Sequence, residues 1–291
     1  MERIIRLGSA FHELIWGTED WLISAHQNGE SKVIGGKFDG KKLSDLFKEN
    51  KEIFGNIESN EFPLLIKIID AKTALSIQVH PGDEYARKHE NSLGKTECWY
   101  ILDEKDSDII VGQKAKSREE FQKAIDEKKV MDIMDVMDIK KGDFFYIPAG
   151  TVHAIRDNTK ILEIQQSSDV TYRLYDYDRK DKDGNLRELH IDKSLDVIDY
   201  DYKYTKTNTN NKQVGTSSCE ELVNEKYFSV DKYTINDKLS ITNDKPFLLG
   251  VVTIGSLKVN GETINAEEGF IIPNGVDLEV EGNGELFISY V

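Results

Sequence analysis

Gly142-Asp143-Phe144-Phe145-Tyr146-Ile147-Pro148-Ala149-Gly150-Thr151-Val152-His153 is the stretch on which the fold turns. Four apolar residues between Gly-Asp and Pro-x-Gly read as a short buried strand with a tight turn at each end. A histidine then stands just past the second turn. The pattern returns at Glu268-Gly269-Phe270-Ile271-Ile272-Pro273-Asn274-Gly275, which continues Val276-Asp277-Leu278 with no histidine. The two copies read as an old duplication in which only the first kept its chemistry.

Outward from this stretch the chain is mostly short strand-like runs bounded by Gly, Asn and Asp. Leu64 to Ile69, Thr73 to His80, Cys98 to Leu102 and Ile161 to Gln165 are examples. Many short strands with turn signals predict an all-β sandwich or barrel. Helices are fewer. Lys41 to Phe54 carries a helical stripe of apolar residues, Asp83 to Glu90 reads as a short helix, and Ser117 to Glu120 is a capping box. The polar run from Tyr200 to Ser218 reads as a linker, and Asn260-Gly261 as a hairpin turn. Two domains are expected, 1–205 and 216–291. All six histidines lie at or before position 190, so the second should be a smaller β-domain without metal ligands.

The formal net charge is −15. A strongly acidic surface argues against sequence-independent binding to nucleic acid or anionic membranes. No stretch nears the roughly 20 apolar residues of a membrane span. The N-terminal MERIIRLGSAFHELIWG lacks the long apolar run of a secretory leader. Cys98 and Cys219 are the two cysteines, and a reducing cytoplasm is expected. Either a monomer or a homodimer is expected.

Strand side chains alternate between faces. From Leu75 to His80, Leu75, Ile77 and Val79 should share one face, and Ser76, Gln78 and His80 the other. Gln78 and His80 then lie about 7 Å apart on one side. Lys95 and Glu97 share a face in the same way, with Cys98 opposite. With His153, these residues are candidate ligands of one ion. Two imidazoles, a carboxylate and an amide oxygen suit Zn²⁺, with Mn²⁺, Fe²⁺ and Co²⁺ as competitors. His12, His26, His89 and His190 fit no ligand spacing. Trp16 and Trp21 read as packing anchors, and Arg179-Lys180-Asp181-Lys182 as a solvated turn.

The spacing Gly142-(5)-Pro148-x-Gly150-(2)-His153 resembles the second cupin motif, and a His and a Glu from two strands resemble the first. Trp16–Ser31, Pro63–Ala71, Ser76–Pro81, Lys95–Leu102, Lys140–Ile155 and Glu163–Arg179 together resemble type I mannose-6-phosphate isomerases of the short bacterial branch. The resemblance implies a jelly-roll-like cupin barrel and one metal held by Gln78, His80, Glu97 and His153. It also implies a catalytic Arg173, with Lys95, Glu163 and Asp169 around the substrate, and Ser76, Lys95 and Arg173 binding it. A long helical insertion found in larger members is largely missing here.

The activity so implied is aldose–ketose exchange between mannose 6-phosphate and fructose 6-phosphate through an enediol. Lys95, Glu163 and Asp169 are alternatives for the proton carrier. Asp169 and Arg173 also fit a structural ion pair. Competing readings are isomerisation of another sugar or sugar phosphate and a sugar-binding cupin module without catalysis. An iron-dependent cupin dioxygenase is a weaker one.

Overall fold

The computed structural model describes residues 2–180 and 183–291. Asp181 and Lys182, half of the basic cluster, lie outside them. Strands dominate, as the turn-punctuated sequence predicts, and no helix among the described residues is long and apolar enough to cross a membrane.

By contact the chain forms two compact units. One contains residues 13–19 and 69–206, the other residues 1–12, 20–68 and 207–291. The division is therefore not made at one point: most of the first 68 residues contribute to the unit built mainly after Thr207. The chain changes unit within the strands Ala10–Leu14, Gly17–Ile23 and Leu64–Ala71.

The first unit carries the candidate chemistry. One of its ladders runs in the order Met134–Asp138, Asp108–Gln113, His153–Ile155, Ile77–Val79, Tyr172–Tyr175. Another runs Phe144–Ile147, Glu97–Glu104, Thr159–Gln166. The ladders remain separate sheets, cupin-like rather than one closed barrel. Trp99, Ile101 and Phe145 from one pack against Ile109, Val111 and Ile155 from the other. The outer face of the first ladder, with Ile77, Val79, Val152, Ala154, Tyr172 and Leu174, is covered by Phe121 and Leu195. Phe121 lies on the helix Arg118–Asp126, where Ser117 Oγ accepts from the Glu120 N–H at 3.3 Å. The Glu120 carboxylate reaches one residue further back than a capping box requires, to the Lys116 N–H.

Alternation thus turns Gln78, His80, His153 and Arg173 inward. Leu75 departs from the expected row. It packs with the inner cluster, because the regular strand begins only at Ile77 and the Thr73–His80 estimate was too long.

The second unit holds a nine-stranded sheet. Its path is Asn210–Val214, Ser217–Asn224, Ser229–Ile241, Leu278–Tyr290, Leu248–Val259, Gly269–Ile272, Ile5–Gly8, Lys32–Ile34, with Glu262–Asn265 paired to Leu248–Val259. Its apolar core gathers around Phe270, Leu257 and Val280. Asn260 and Gly261 both have positive φ, 46° and 94°, as a two-residue hairpin turn demands. The end of the expected linker is instead a strand, Asn210–Val214, whose polar residues suit an exposed sheet edge. The expected helix from Lys41 to Phe54 breaks at Asn50 into Leu43–Glu49 and a 3₁₀ turn, Lys51–Phe54.

The repeated motif is repeated structure. Thr151 N–H donates to Pro148 O and Val276 N–H to Pro273 O, each at 3.2 Å. Gly150 and Gly275 follow with φ of 90° and 69°. Such angles favour glycine, which has no Cβ to clash.

Candidate metal centre

Three ligand-type residues, His80, Glu97 and His153, meet in the first unit and are buried. Their donor atoms lie within 4.8 Å of one another. His80 follows the Ile77–Val79 strand, Glu97 opens Glu97–Glu104, and His153 opens His153–Ile155 just after the Pro-x-Gly turn. Gly150 N–H donates to His80 O at 2.8 Å, so the turn ties two of the ligand segments together.

Both imidazoles are oriented by main chain. His80 Nδ1 lies 2.9 Å from Val170 O and His153 Nδ1 2.9 Å from Thr151 O. A carbonyl can only accept, so each Nδ1 carries the proton and each Nε2 presents a lone pair. The two Nε2 atoms face each other at 3.1 Å. Glu97 stands beside both, with Oε2 3.4 Å from His80 Nε2 and Oε1 3.4 Å from His153 Nε2. Burial, with the Lys95 charge adding, pushes His153 down to about 4, so its ring is neutral at ordinary pH. Inward lone pairs around a buried carboxylate repel one another unless a cation lies among them. The donor set, two imidazoles and a carboxylate, fits a divalent metal ion.

Lys95 occupies part of this space. Its Nζ is 2.5 Å from Glu97 Oε2, 3.0 Å from His80 Nε2 and 3.6 Å from Glu163 Oε1. Gln78 Nε2 lies 3.3 Å from His153 Nε2. A half-turn of the carboxamide would present its oxygen there instead. Ser76 Oγ approaches Gln78 Oε1 at 3.5 Å.

Register explains the arrangement. Gln78 pairs with His153 on one side and Arg173 on the other, so three side chains form a row across the inner face. On the facing ladder Gln165 pairs with Glu97, and Glu163 with Trp99. The Trp99 indole donates to Glu163 Oε2 at 2.8 Å, and its ring meets His153 edge-on at 5.4 Å.

The other expected residues are less central. The Arg173 guanidinium donates from Nη1 to Glu188 O at 2.8 Å, and the main-chain N–H of Arg173 to His190 Nδ1. Asp169 is exposed, next to the Val170 carbonyl that holds His80. Arg179 corrects its expectation: it is not a solvated turn residue. Its side chain is 17% exposed and donates to Ala74 O. Trp99 went unread in the sequence, although it lies two residues beyond Glu97 and so on the same face. The carbonyls of Thr151 and Val170 have no side-chain signature at all.

Comparison with known proteins bears on this geometry. Residues 15–112 match the family profile "phosphomannose isomerase type I, catalytic domain", and residues 218–291 match "mannose-6-phosphate isomerase, cupin domain". The chain is 43% identical to the mannose-6-phosphate isomerase ManA of Bacillus subtilis, over 94% of this chain and 89% of that one. It is 39% identical to the mannose-6-phosphate isomerase of Streptococcus mutans, over 98% and 97%. The crystal structure of a Bacillus subtilis mannose 6-phosphate isomerase superposes with a TM-score of 0.95, at 37% identity, over the whole of both chains. A zinc-bound mannose 6-phosphate isomerase structure shares the fold at 13% identity and a TM-score of 0.75, over 99% of each chain. With such similarity along nearly its full length, and a buried His–Glu–His nest where the cupin motifs meet, the chain belongs to the type I phosphomannose isomerase family.

Proposed function

We propose that this chain is a metal-dependent aldose–ketose isomerase that interconverts mannose 6-phosphate and fructose 6-phosphate. The observation that carries the reading is the pair of inward Nε2 lone pairs, 3.1 Å apart beside the Glu97 carboxylate. Its support is the membership of a family whose relatives bear that activity in their names. His80, Glu97 and His153 would hold the ion, with Gln78 as a neutral fourth ligand. Zinc is the first choice, and manganese, iron or cobalt are the alternatives. A divalent ion there supplies a positive partner for the charge that develops on the sugar oxygens as C2 loses its proton.

The chain's own groups do the rest. A proton leaves C2 and returns at C1, with an enediol between. Lys95 and Glu163 lie 3.6 Å apart and shielded from water, which supports them as the pair that carries that proton. Asp169 is the exposed third candidate. A positioned acid–base group is worth about 100- to 10,000-fold, so single substitutions separate the three. Arg173 stays charged at any working pH and offers a planar fork to substrate oxygens. Ser76, just before the strand with its Oγ 3.5 Å from Gln78 Oε1, would offer a hydroxyl to the sugar or the phosphate. The buried, unpaired thiols Cys98 and Cys219 fit a reducing cytoplasm.

The test is a coupled assay on purified, metal-loaded protein with mannose 6-phosphate, repeated after chelation and after each ion is restored. Turnover that disappears with chelator and returns best with zinc is expected. Full metal occupancy with no turnover of mannose 6-phosphate would overturn the reading.

A further inference from the structure

Near the end of the ligand strand the acidic chain concentrates positive charge. Arg187 grips Asp176 with two bonds, Nε to Oδ2 at 2.7 Å and Nη2 to Oδ1 at 2.5 Å. Arg179 Nη2 meets the same Oδ1 at 3.4 Å, so the two guanidinium groups come within about 6 Å of each other. Arg173 sits beside them, and their charges act on it. Two guanidinium groups thus contact one buried carboxylate, Asp176, and a third, Arg173, feels its charge, with the exposed Glu188 nearby. The surplus is positive in a chain whose net charge is −15.

The donors are not used up. Arg173 Nε, Arg179 Nη1 and Tyr177 Oη are buried and have no hydrogen-bond partner among the described residues. A buried donor on a cation that lacks an acceptor is costly, and an anion with several oxygens removes the cost. The backbone is also strained to hold Arg179 where it is. Tyr177 and Asp178 are successive left-handed residues, φ 56° and 53°. Left-handed backbone is unfavourable for a residue with a Cβ, and strain of this kind gathers at functional sites. It turns Arg179 back onto Ala74 O, two residues before Ser76 on the chain segment that leads to Gln78 and His80. Four residues separate Ala74 from Gln78, so the two are at most about 13 Å apart. An open-chain six-carbon sugar with a terminal phosphate fits within that limit.

We propose that Arg179, held by Asp176 and Arg187 behind it, receives the phosphate of the substrate beside Ser76 and Arg173. The inference rests on the isomerase reading for the identity of the sugar, and on the orphaned donors for the anion. Arg179 is a binding residue on this view. Asp176 and Arg187 position it.

The experiment uses the full metal-loaded chain. Arg179→Ala should raise KM for mannose 6-phosphate about 10- to 100-fold, the worth of one charge-assisted pair, while kcat changes less than threefold. Arg179→Lys should recover part of that loss by keeping the charge. Arg118→Ala, on a surface helix, should leave both parameters unchanged. Calorimetric titration with inorganic phosphate reads the arm without turnover: wild type should give a binding heat that Arg179→Ala lacks. An unchanged KM in Arg179→Ala, equal phosphate heats in the two proteins, or no heat in wild type would overturn the proposal. Metal content and thermal melts confirm folding, and Arg179→Gln is read by the same criteria if Arg179→Ala does not fold. A wild type that binds phosphate but turns over no sugar phosphate would sink the isomerase reading and leave the arm standing.

Discussion

Replacing Lys95 with Met tests how the metal nest balances its charges. One ammonium faces two buried carboxylates, Glu97 at 2.5 Å and Glu163 at 3.6 Å. Methionine fills a similar volume without charge. In metal-free protein, Lys95→Met leaves both carboxylates without their cation, a loss of about 3–5 kcal/mol for a buried pair broken from one side. A bound divalent ion changes the balance. Wild type then holds three positive charges against two negative, and the variant holds two against two. The ion should restore most of the lost stability, leaving a gap of about 1 kcal/mol for the shortened packing. The difference, about 3 kcal/mol, must appear as metal affinity, so the variant should bind zinc a hundredfold or more tighter. Urea unfolding at pH 7, with chelator and with saturating zinc, measures both gaps. Competition with a chromophoric chelator measures the affinity. Equal destabilisation with and without zinc would show that Lys95 does not balance the ligand charge.

Further substitutions probe other parts of the molecule. His153→Ala should lose both stoichiometric metal and turnover by elemental analysis and coupled assay, and metal retained one per chain would remove His153 from the ligand set. Arg173→Ala should keep its metal while kcat/KM falls at least a hundredfold, and near wild-type kinetics would remove Arg173 from the reaction. Gly150→Ala forces a Cβ to 3.0 Å from Val197 O at φ 90°. It should cost about 2 kcal/mol in thermal melts and weaken metal binding through the His153 segment. In the other unit, burial, with the Glu221 carboxylate adding, raises Asp231 to about 6. The folded state then takes up this proton before the unfolded chain does, so stability falls as pH rises from about 4 through 6. Asp231→Asn should be more stable than wild type by about 2 kcal/mol at pH 7, after allowing for partial exposure, and no more stable at pH 4. A difference that does not vary with pH would refute that.

What the sequence disclosed, and what it hid, follows from the range of the forces involved. The motif around Pro148 was legible because glycine and proline act locally. Gln78 and Glu97 were legible because a strand sorts its side chains by parity, and His80 and Lys95, just outside the two strands, turn to the same side. Leu75 broke the parity rule because parity holds only where the backbone is regular, and the ladder begins at Ile77. The Asn210–Val214 strand was hidden because its residues are polar, and only its neighbour Ser217–Asn224 makes it a strand. Arg179 looked solvated because basic residues between acids usually are. Its burial depends on Ala74, more than a hundred residues away in sequence. The joining of residues 1–12 and 20–68 to the C-terminal strands is likewise a matter of long-range pairing, such as Arg6 with Phe270.

One consequence of the centre concerns its tolerance of mutation. The groups that orient the two imidazoles are the carbonyls of Thr151 and Val170, and every residue type has a carbonyl. Substitution at either position leaves the acceptor in place as long as the loop keeps its path. Drift in the side chains at these two positions is therefore inexpensive, whereas a one-residue insertion or deletion in either loop would turn a ligand away. Someone transplanting this site into another scaffold would have to carry the two loops whole, because a list of ligands alone omits what aims them.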